Sequence, residues 1–223
     1  MRTKALLCAA GLLAVGAISA MAQSNVYSLN IVGYINVKLT NGFQLIANQL
    51  DIDGNRTNNT VQGVFSNLSA AVPSNTKVYG FSPASGYSTA TYLGTSWLGG
   101  VAGVNRGLSP GAGVWVQIPG ASGTDLTLTE VGNVIQGTTI LPIVPGFQIM
   151  SAVAPVSARI QTDLGYVPNG NDKVYTFSTT SGYSTKTYLG TSWLPSQPIP
   201  KVAEAFWLQT TATKNWTQSF TVL

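Results

Sequence analysis

Residues 77–100 have the sequence KVYGFSPASGYSTATYLGTSWLGG, and residues 173–196 repeat it as KVYTFSTTSGYSTKTYLGTSWLPS. The two segments agree at 18 of 24 positions without a gap. Agreement this close over this length indicates an internal duplication. Each copy has the size of a small domain, and two copies are fewer than the three or more that a stacked solenoid needs. The duplication therefore predicts two small lobes that share an interface.

Shorter matches flank this segment in the same order in both copies. They are Gly-Phe-Gln from residue 42 and again from residue 146, Val-Trp-Val-Gln from residue 114 with Phe-Trp-Leu-Gln from residue 206, and Leu-x-x-Val-Gly from residue 29 and again from residue 128. The last match predicts that residues 126–131 close the first unit and open the second. The predicted modules are residues 23–131 and residues 132–223, both rich in β-structure.

Polar and apolar residues alternate with period two through most of these modules, which is typical of half-buried β-strands. The longest alternating series is Leu29, Ile31, Ile35, Val37 and Leu39. Further strands are predicted at residues 43–47, 77–81, 87–93, 114–118 and 126–131, with equivalents in the second module.

One segment in each module has the spacing of a short amphipathic helix instead. In the first module it comprises Val61, Val64, Phe65 and Leu68, and in the second Ile160 and Leu164 repeat the spacing ahead of Gly165. The fold class expected is therefore mainly β, with two tandem antiparallel β-sandwich or barrel-like lobes that each carry one short α-helix.

These motifs resemble a module of uncharacterised exported bacterial proteins. The resemblance rests on the order Gly-Phe-Gln-(Leu/Ile)-(Ile/Met), Lys-Val-Tyr-x-Phe, Gly-Tyr-Ser-Thr and Pro-Gly-x-Gly-Val-Trp-Val-Gln, the last beginning at Pro110. It covers nearly the whole chain after residue 22 and implies export and two β-rich units, but no activity. The second unit departs from the pattern where Pro-Gly-x-Gly becomes Val202-Ala203-Glu204-Ala205, and so it lacks those glycines.

The N-terminal residues have the pattern of a secretory signal peptide at residues 1–22. Arg2 and Lys4 precede an apolar run at residues 5–20, and Ala20-Met21-Ala22 is a small-x-small site that predicts cleavage before Gln23. We expect a secreted protein of the periplasm, cell surface or extracellular space, with no membrane span after cleavage. Cleavage would also remove Cys8, the one cysteine of the chain.

Composition argues against most catalytic chemistry. The chain has no histidine, and the predicted mature chain has no thiol, so a Ser-His-Asp triad, a cysteine nucleophile and the usual zinc ligands are excluded. Seven carboxylates remain, and they do not recur in register between the two units, as a duplicated hydrolase site would require. We therefore expect no enzyme activity, no cofactor and no metal.

The sequence around Asp51-Ile52-Asp53-Gly54-Asn55 offers oxygen ligands of the kind that calcium prefers. The glycine comes too early for an EF-hand loop, and no acidic residue follows at the twelfth position. A polar Asx turn is the favoured interpretation of this segment.

The mature chain would carry nine basic and seven acidic residues, a net charge of about +2. These charges are scattered, whereas nucleic-acid binding needs a clustered basic surface, so nucleic acid is excluded as a partner. Charged residues make up only 8% of the chain, against about 25% in ordinary soluble domains. Such a surface favours self-association or contact with glycans and other surface proteins.

Aromatic residues recur in both copies and are candidates for ligand binding. The recurring positions are Tyr79, Tyr87, Tyr92, Trp97 and Trp115, with Tyr175, Tyr183, Tyr188, Trp193 and Trp207. Exposed rings could stack on sugars, but small lobes without disulfides also need large rings in their cores, and this second interpretation is favoured for the four tryptophans. Tyr87 and Tyr183 are expected to be exposed, and the candidate ligand-binding residues are Tyr87, Tyr183, Trp97 and Trp193.

Duplicated core residues should be buried in pairs. The alternation predicts this for Phe43 with Phe147, Val78 with Val174, and Trp115 with Trp207.

The function expected first is a non-enzymatic secreted or cell-surface module with a role in adhesion, matrix or scaffold formation. One alternative is a carbohydrate-binding module that uses the repeated Tyr and Trp positions. A further alternative is an outer-membrane β-barrel, suggested by the low charge and the alternating strands.

Overall fold

The structure is a computed structural model that describes residues 31–68, 72–120 and 126–222. The predicted signal peptide lies outside the described residues. From Ile31 onward the chain belongs to one compact unit, in which the two copies of the duplicated sequence form two lobes.

The first lobe contains seven strands and two short helices within the described residues. They are β1 (Val32–Leu39), β2 (Gly42–Ala47), α1 (Val61–Phe65), β3 (Lys77–Ser82), β4 (Gly86–Tyr92), β5 (Trp97–Leu98), α2 (Gly100–Gly103), β6 (Gly113–Ile118) and β7 (Leu126–Asn133). The second lobe repeats the strands without the helices. They are β8 (Gly137–Ile143), β9 (Gly146–Met150), β10 (Lys173–Ser178), β11 (Gly182–Tyr188), β12 (Trp193–Leu194), β13 (Phe206–Thr210) and β14 (Lys214–Phe220).

Each lobe is built from a five-stranded sheet and a two-stranded ribbon, and all strand pairs are antiparallel. The sheet has the order β2-β6-β3-β4-β5 in the first lobe and β9-β13-β10-β11-β12 in the second, and the ribbons are β1-β7 and β8-β14. In the described residues none of these sheets closes on itself. The expected mainly β fold with two tandem lobes is confirmed, in its sandwich-like form.

The ribbon and helix α1 cover one face of the five-stranded sheet and enclose the core of the first lobe. Leu39 and Leu128 from the ribbon pack with Val116 from the sheet and with Phe65 from α1, and all four are almost fully buried. Alternation along β6 explains this packing, because Val114 and Val116 point to the same face. In the second lobe, Trp216 of β14 lies in the corresponding core with Phe206 and Leu208 of β13.

Helix α1 confirms the helix predicted in the first module. The side chain of Thr60 accepts a hydrogen bond from the Gly63 amide at 3.1 Å, as an N-cap residue does, and Val61, Val64 and Phe65 are buried. Leu68 lies beyond the end of the helix.

The helix predicted around Ile160 and Leu164 is replaced by hydrogen-bonded turns. The amide of Leu164 donates to the carbonyl of Arg159 at 3.0 Å, and Gly165 turns the chain with φ of +72°. Both apolar side chains are buried as predicted, so in this short segment packing, and not helix propensity, sets the backbone conformation.

The ribbons show which strands are equivalent in the two lobes. Strand β7 pairs along its whole length with β1, and Gly33 lies directly opposite Gly132. The similar sequences at residues 29–33 and residues 128–132 therefore belong to two strands that pair with each other in one ribbon. They do not mark equivalent strands of the two lobes. The second lobe begins its own ribbon with β8, and the boundary expected between residues 131 and 132 lies inside β7.

The two lobes are joined by backbone contacts that occur twice. Ile46 bridges Glu204, and at the equivalent positions Met150 bridges Ala112. Each bridge is accompanied by a 2.9 Å hydrogen bond, from the Ala47 amide to the Ala203 carbonyl and from the Ser151 amide to the Gly111 carbonyl. Contacts that recur with the partners exchanged are those of a twofold, isologous interface, so the lobes are related by a pseudo-twofold axis.

The left-handed turn before β6 survives the loss of glycine in the second lobe. Gly111 has φ of +97°, and at the equivalent position Ala203 has φ of +60°. The backbone conformation is thus the same although the sequence motif is not. Within the described residues, no helix has the length and apolar character needed to cross a bilayer.

Candidate functional site

The two five-stranded sheets each turn a second face away from their own core, and these faces meet between the lobes. Leu45 and Trp115 alternate with the core residues of β2 and β6, so they point to this opposite face. The equivalent residues of the second lobe are Ile149 and Trp207, and all four side chains are buried in one cluster. The interface between the lobes is therefore apolar and largely aromatic.

A continuous aromatic surface, called here the aromatic face, spreads from this cluster over both sheets. It consists of Phe43, Tyr79, Phe81, Tyr87 and Trp115 from the first lobe with Phe147, Tyr175, Phe177, Tyr183 and Trp207 from the second. Strand pairing produces it, because Tyr79 lies opposite Trp115 and Phe81 lies opposite Tyr87. Residues directly opposite on one face of a sheet have their side chains in contact.

The ring contacts across the interface are reciprocal. Phe81 of the first lobe meets Trp207 of the second at 4.9 Å between ring centroids, and Phe177 meets Trp115 at 4.8 Å. Both pairs are edge-to-face, the arrangement that the ring quadrupoles favour. Each lobe therefore inserts a phenylalanine against the tryptophan of the other lobe.

Two pockets open on the aromatic face, and both lobes line each of them. The first pocket, of about 590 Å³, is lined by Phe43, Tyr79, Tyr87, Thr89, Trp115, Phe177 and Tyr183. The second pocket, of about 490 Å³, is lined by Phe81, Tyr87, Phe147, Tyr175, Tyr183, Thr185 and Trp207. Tyr87 and Tyr183 line both pockets, so the two pockets lie side by side.

The rings of the aromatic face differ in how much surface they present. Tyr87 and Tyr183 are 59% and 56% exposed, and Phe43 and Phe147 are 44% and 42% exposed. Trp115 and Trp207 are each only 7% exposed, which confirms the prediction that they are buried as a pair. The exposed rings therefore surround two tryptophans that are fixed by the interface.

The expected burial of Phe43 and Phe147 is wrong, whereas that of Val78 and Val174 is confirmed. Phe43 shares its sheet face with Leu45, but Leu45 is buried in the cluster between the lobes whereas Phe43 lines the first pocket. Alternation placed Phe43 on an apolar face correctly, but it did not indicate how far that face is covered.

The polar groups that line the two pockets are uncharged. The Tyr79 hydroxyl donates to Gln117 Oε1 at 2.7 Å, and Tyr175 donates to Gln209 Oε1 at the same distance. Burial raises the pKa of both phenols, and burial together with the neighbouring Tyr183 raises the pKa of Tyr87. Among the described residues that line the two pockets, none is charged.

The four candidate residues predicted from the sequence separate into two groups. Tyr87 and Tyr183 lie together at the centre of the aromatic face. Trp97 and Trp193 lie on the opposite face of each sheet, because they pair with Tyr92 and Tyr188 on the core side. Trp97 packs at 6.0 Å from Phe65, and Trp193 is buried with its indole nitrogen donating to Gln161 Oε1 at 2.9 Å.

Ten lining residues were not among the four site candidates, although alternation could have indicated them. Tyr79, Trp115, Tyr175 and Trp207 had been noted only as recurring aromatic residues, and the other six are Phe43, Phe81, Thr89, Phe147, Phe177 and Thr185. Thr89 and Thr185 stand two residues after the exposed tyrosines and so share their face. The duplication predicted a shared interface between the lobes, but no sequence signal showed that these two sheet faces would form it.

The carboxylates with shifted pKa values lie outside the two pockets. Burial raises the pKa of Glu130 to about 8, against an opposing interaction with the backbone of Gln49. Neither carboxyl oxygen of Glu130 has a hydrogen-bond partner of ordinary geometry. The equivalent residue of the second lobe is Gln218, which accepts a hydrogen bond from the Val153 amide at 3.0 Å. A neutral Glu130 is thus the counterpart of a glutamine.

Asp172 forms a buried ion pair in the second lobe. Burial opposes its ionisation, but hydrogen bonds from Lys214 and Tyr166, each at 2.6 Å, outweigh that effect and lower its pKa. The equivalents of Asp172 and Lys214 in the first lobe are Thr76 and Leu126, so this pair is specific to the second lobe.

The predicted Asx turn at Asp53 is confirmed. Its Oδ1 accepts from the Asn55 amide at 3.0 Å, and its Oδ2 accepts from the Asn58 amide at 3.1 Å and from the hydroxyl of Thr57. The bond from Thr57 is the main cause that lowers the pKa of Asp53 to about 2. Its carboxylate oxygens are therefore occupied by the loop itself.

Comparison with protein-family models, with curated proteins and with solved structures gave no match.

Proposed function

We propose that this chain is a non-enzymatic binding module of the cell surface or extracellular space, and that its aromatic face binds neutral glycans. The observation that carries this proposal is the pair of pockets, about 590 and 490 Å³, lined by exposed rings and uncharged hydroxyl groups. Both volumes fall in the range of small-molecule sites.

Sugars suit these pockets because a pyranose ring has apolar C–H faces and a rim of hydroxyl groups. The half-exposed rings of Phe43, Tyr87 and Tyr183 offer flat apolar surface for the C–H faces of the sugar. Thr89 and the Tyr79 phenol stand beside these rings as hydrogen-bonding partners for the sugar hydroxyl groups. The absence of charge in the described lining favours neutral polymers over acidic ones, since an acidic sugar would lose hydration there without gaining a cationic partner.

Two features of the sequence support the rest of the proposal. The predicted signal peptide supports a location outside the cytoplasm, where glycans are abundant. The lack of histidine and of a thiol in the predicted mature chain supports a role in binding, and Glu130 and Asp172 lie outside the pockets. Adhesion or matrix formation would follow from glycan binding at a surface.

The test is binding of a panel of neutral glucans, mannans, galactans and xylans to the native chain and to single variants, by glycan array and calorimetry. Tyr87→Ala and Tyr183→Ala should each weaken binding about fivefold to tenfold, because each removes a stacking ring worth about 1–1.4 kcal/mol. Tyr34→Ala is the matched control, since Tyr34 is 66% exposed but lines neither pocket.

Thermal melting should show little change in any of the three variants, because the side chains are more than half exposed. Failure of the native chain to bind any neutral polymer would contradict the proposal. Equal weakening by Tyr34→Ala would do so as well.

A further inference from the structure

We propose that the aromatic face holds two glycan chains of opposite polarity, one in each pocket, so that one molecule cross-links two chains. This inference rests on the proposed function, and it goes beyond it by giving the number and direction of the bound chains. It follows from the pseudo-twofold relation between the pockets.

The ring contacts establish that relation at the pockets themselves. Tyr87 meets Trp207 at 6.3 Å and 82°, and its equivalent Tyr183 meets Trp115 at 6.1 Å and 83°. Phe43 meets Trp115 at 6.0 Å and 86°, and its equivalent Phe147 meets Trp207 at 6.0 Å and 87°. Each ring of one pocket therefore has a counterpart with nearly the same geometry in the other.

The position of the axis decides the direction of the bound chains. Tyr87 and Tyr183 line both pockets, so the axis passes between these two residues and both pockets open on the same face. Rotation by half a turn about an axis through that face reverses every direction that lies along the face. A polysaccharide has a reducing and a non-reducing end, so two identically bound chains must run in opposite directions.

A single chain that crossed both pockets would meet the second one backwards. Its ring faces and hydroxyl groups would be matched to only one of the two sets of rings and threonines. Two separate chains satisfy both pockets equally, and this is the occupancy that the symmetry favours.

Each pocket also depends on the other lobe, which gives the test its variants. Phe43 and Thr89 line only the first pocket, Phe147 and Thr185 line only the second, and Tyr87 and Tyr183 complete both. Phe43→Ala and Phe147→Ala should therefore each remove one site, whereas Tyr87→Ala should weaken both.

The first measurement is the stoichiometry of linear neutral gluco-, manno- and xylo-hexaoses by calorimetry. The native chain should bind two equivalents of the hexaose that it recognises. Phe43→Ala and Phe147→Ala should each bind one equivalent, and the double variant should bind none.

Thr89→Ala and Thr185→Ala provide a second pair of variants in which the aromatic rings are intact, and each should weaken one of the two sites. One equivalent bound by the native chain would overturn the inference, as would loss of both sites in Phe43→Ala.

The second measurement is cross-linking of the corresponding soluble polymer, read as turbidity or as co-sedimentation. The native chain should cross-link the polymer, and Phe43→Ala should bind it without cross-linking. Equal cross-linking by Phe43→Ala would contradict two-chain occupancy.

The polarity of the bound chains is tested with a nitroxide at the reducing end of the hexaose. The label should broaden the amide signals of Thr89 and Thr185 to the same degree, and broadening of one without the other would exclude opposite polarity.

These outcomes distinguish the inference from the proposed function. If no hexaose and no polymer binds, the proposed function has failed. If one equivalent binds with loss of affinity in Tyr87→Ala, the glycan site stands and only the two-chain inference has failed.

Discussion

Glu130 and Gln218 occupy equivalent buried positions in the two ribbons, and they differ by one titratable group. Glu130 is 4% exposed and Gln218 is 6% exposed. A carboxyl group in such a place is neutral at neutral pH, because burial penalises its charged form. The first lobe thus holds a proton that its unfolded chain would have lost.

This proton makes the stability of the native chain depend on pH. An unfolded glutamate ionises near pH 4.5, whereas the pKa of Glu130 in the folded chain is about 8. Between these values the folded state binds more protons than the unfolded state, so the free energy of unfolding falls as the pH rises. The free energy of unfolding falls by up to about 1.4 kcal/mol per pH unit, and this fall ends near the pKa of Glu130 in the folded chain.

Glu130→Gln should remove this slope between about pH 4.5 and pH 8, measured by urea denaturation at a series of pH values. Gln218→Glu is the matched variant, since it should add a second slope of the same sign. If Glu130→Gln left the pH dependence of the native chain unchanged, Glu130 would be charged in the folded state.

At the scale of elements, β6 and the loop before β13 approach each other across the pseudo-twofold axis. Gly113 and Ala205 are equivalent positions, and they face each other there. A Cβ added at Gly113 would lie 2.3 Å from the Cβ of Ala205 and 2.8 Å from a side-chain carbon of Ile149. One of the two positions therefore has to lack a side chain, which explains why the duplicated sequences differ here.

Gly113→Ala should lower the free energy of unfolding by about 1–3 kcal/mol, because the added carbon overpacks the interface between the lobes. Ala205→Gly in the same chain should restore much of that loss, since it transfers the methyl group to the other side of the axis. The measurement is a double-mutant cycle by thermal or urea denaturation. Additive effects of the two substitutions would contradict this packing.

Of the two helices predicted from the sequence, only the one in the first lobe forms. Helix α1 has an N-cap and three buried apolar side chains, whereas the turns at Ile160 and Leu164 bury their side chains without a helix. In elements this short, packing rather than propensity decides the backbone conformation.

At the scale of the whole molecule, the lobes depend on each other. Leu45 and Trp115 are buried in one cluster with Ile149, Ala205 and Trp207 of the second lobe. The bridges at Ile46 and Ala112 also leave backbone groups unpaired if the other lobe is removed.

A chain that ends at Val134 retains both strands of its ribbon but exposes the aromatic interface and these backbone groups. We expect it to aggregate when produced alone, because unpaired strand edges beside apolar surface template association. Co-production with residues 135–223 should restore a soluble complex, measured by size-exclusion chromatography and light scattering. A monomeric first lobe with a cooperative thermal transition would show that the lobes are independent.

The sequence by itself determined the duplication, most of the strands, and the paired burial of Val78 with Val174 and of Trp115 with Trp207. It could do so because side chains along a strand alternate between two faces, and a repeated sequence repeats that alternation. It also indicated Tyr87 and Tyr183 as the exposed aromatic pair.

Only the tertiary structure decided what covers each face. The pattern was apolar on both sides of β2 and β6, so it could not show that one side is the core of a lobe and the other is half covered by the second lobe. The pattern also could not show that β7 pairs with β1, because the two strands have the same alternation and a glycine at the same relative place. The two pockets exist because surfaces far apart in sequence meet about a pseudo-twofold axis, and an alternation of period two contains no information about such contacts.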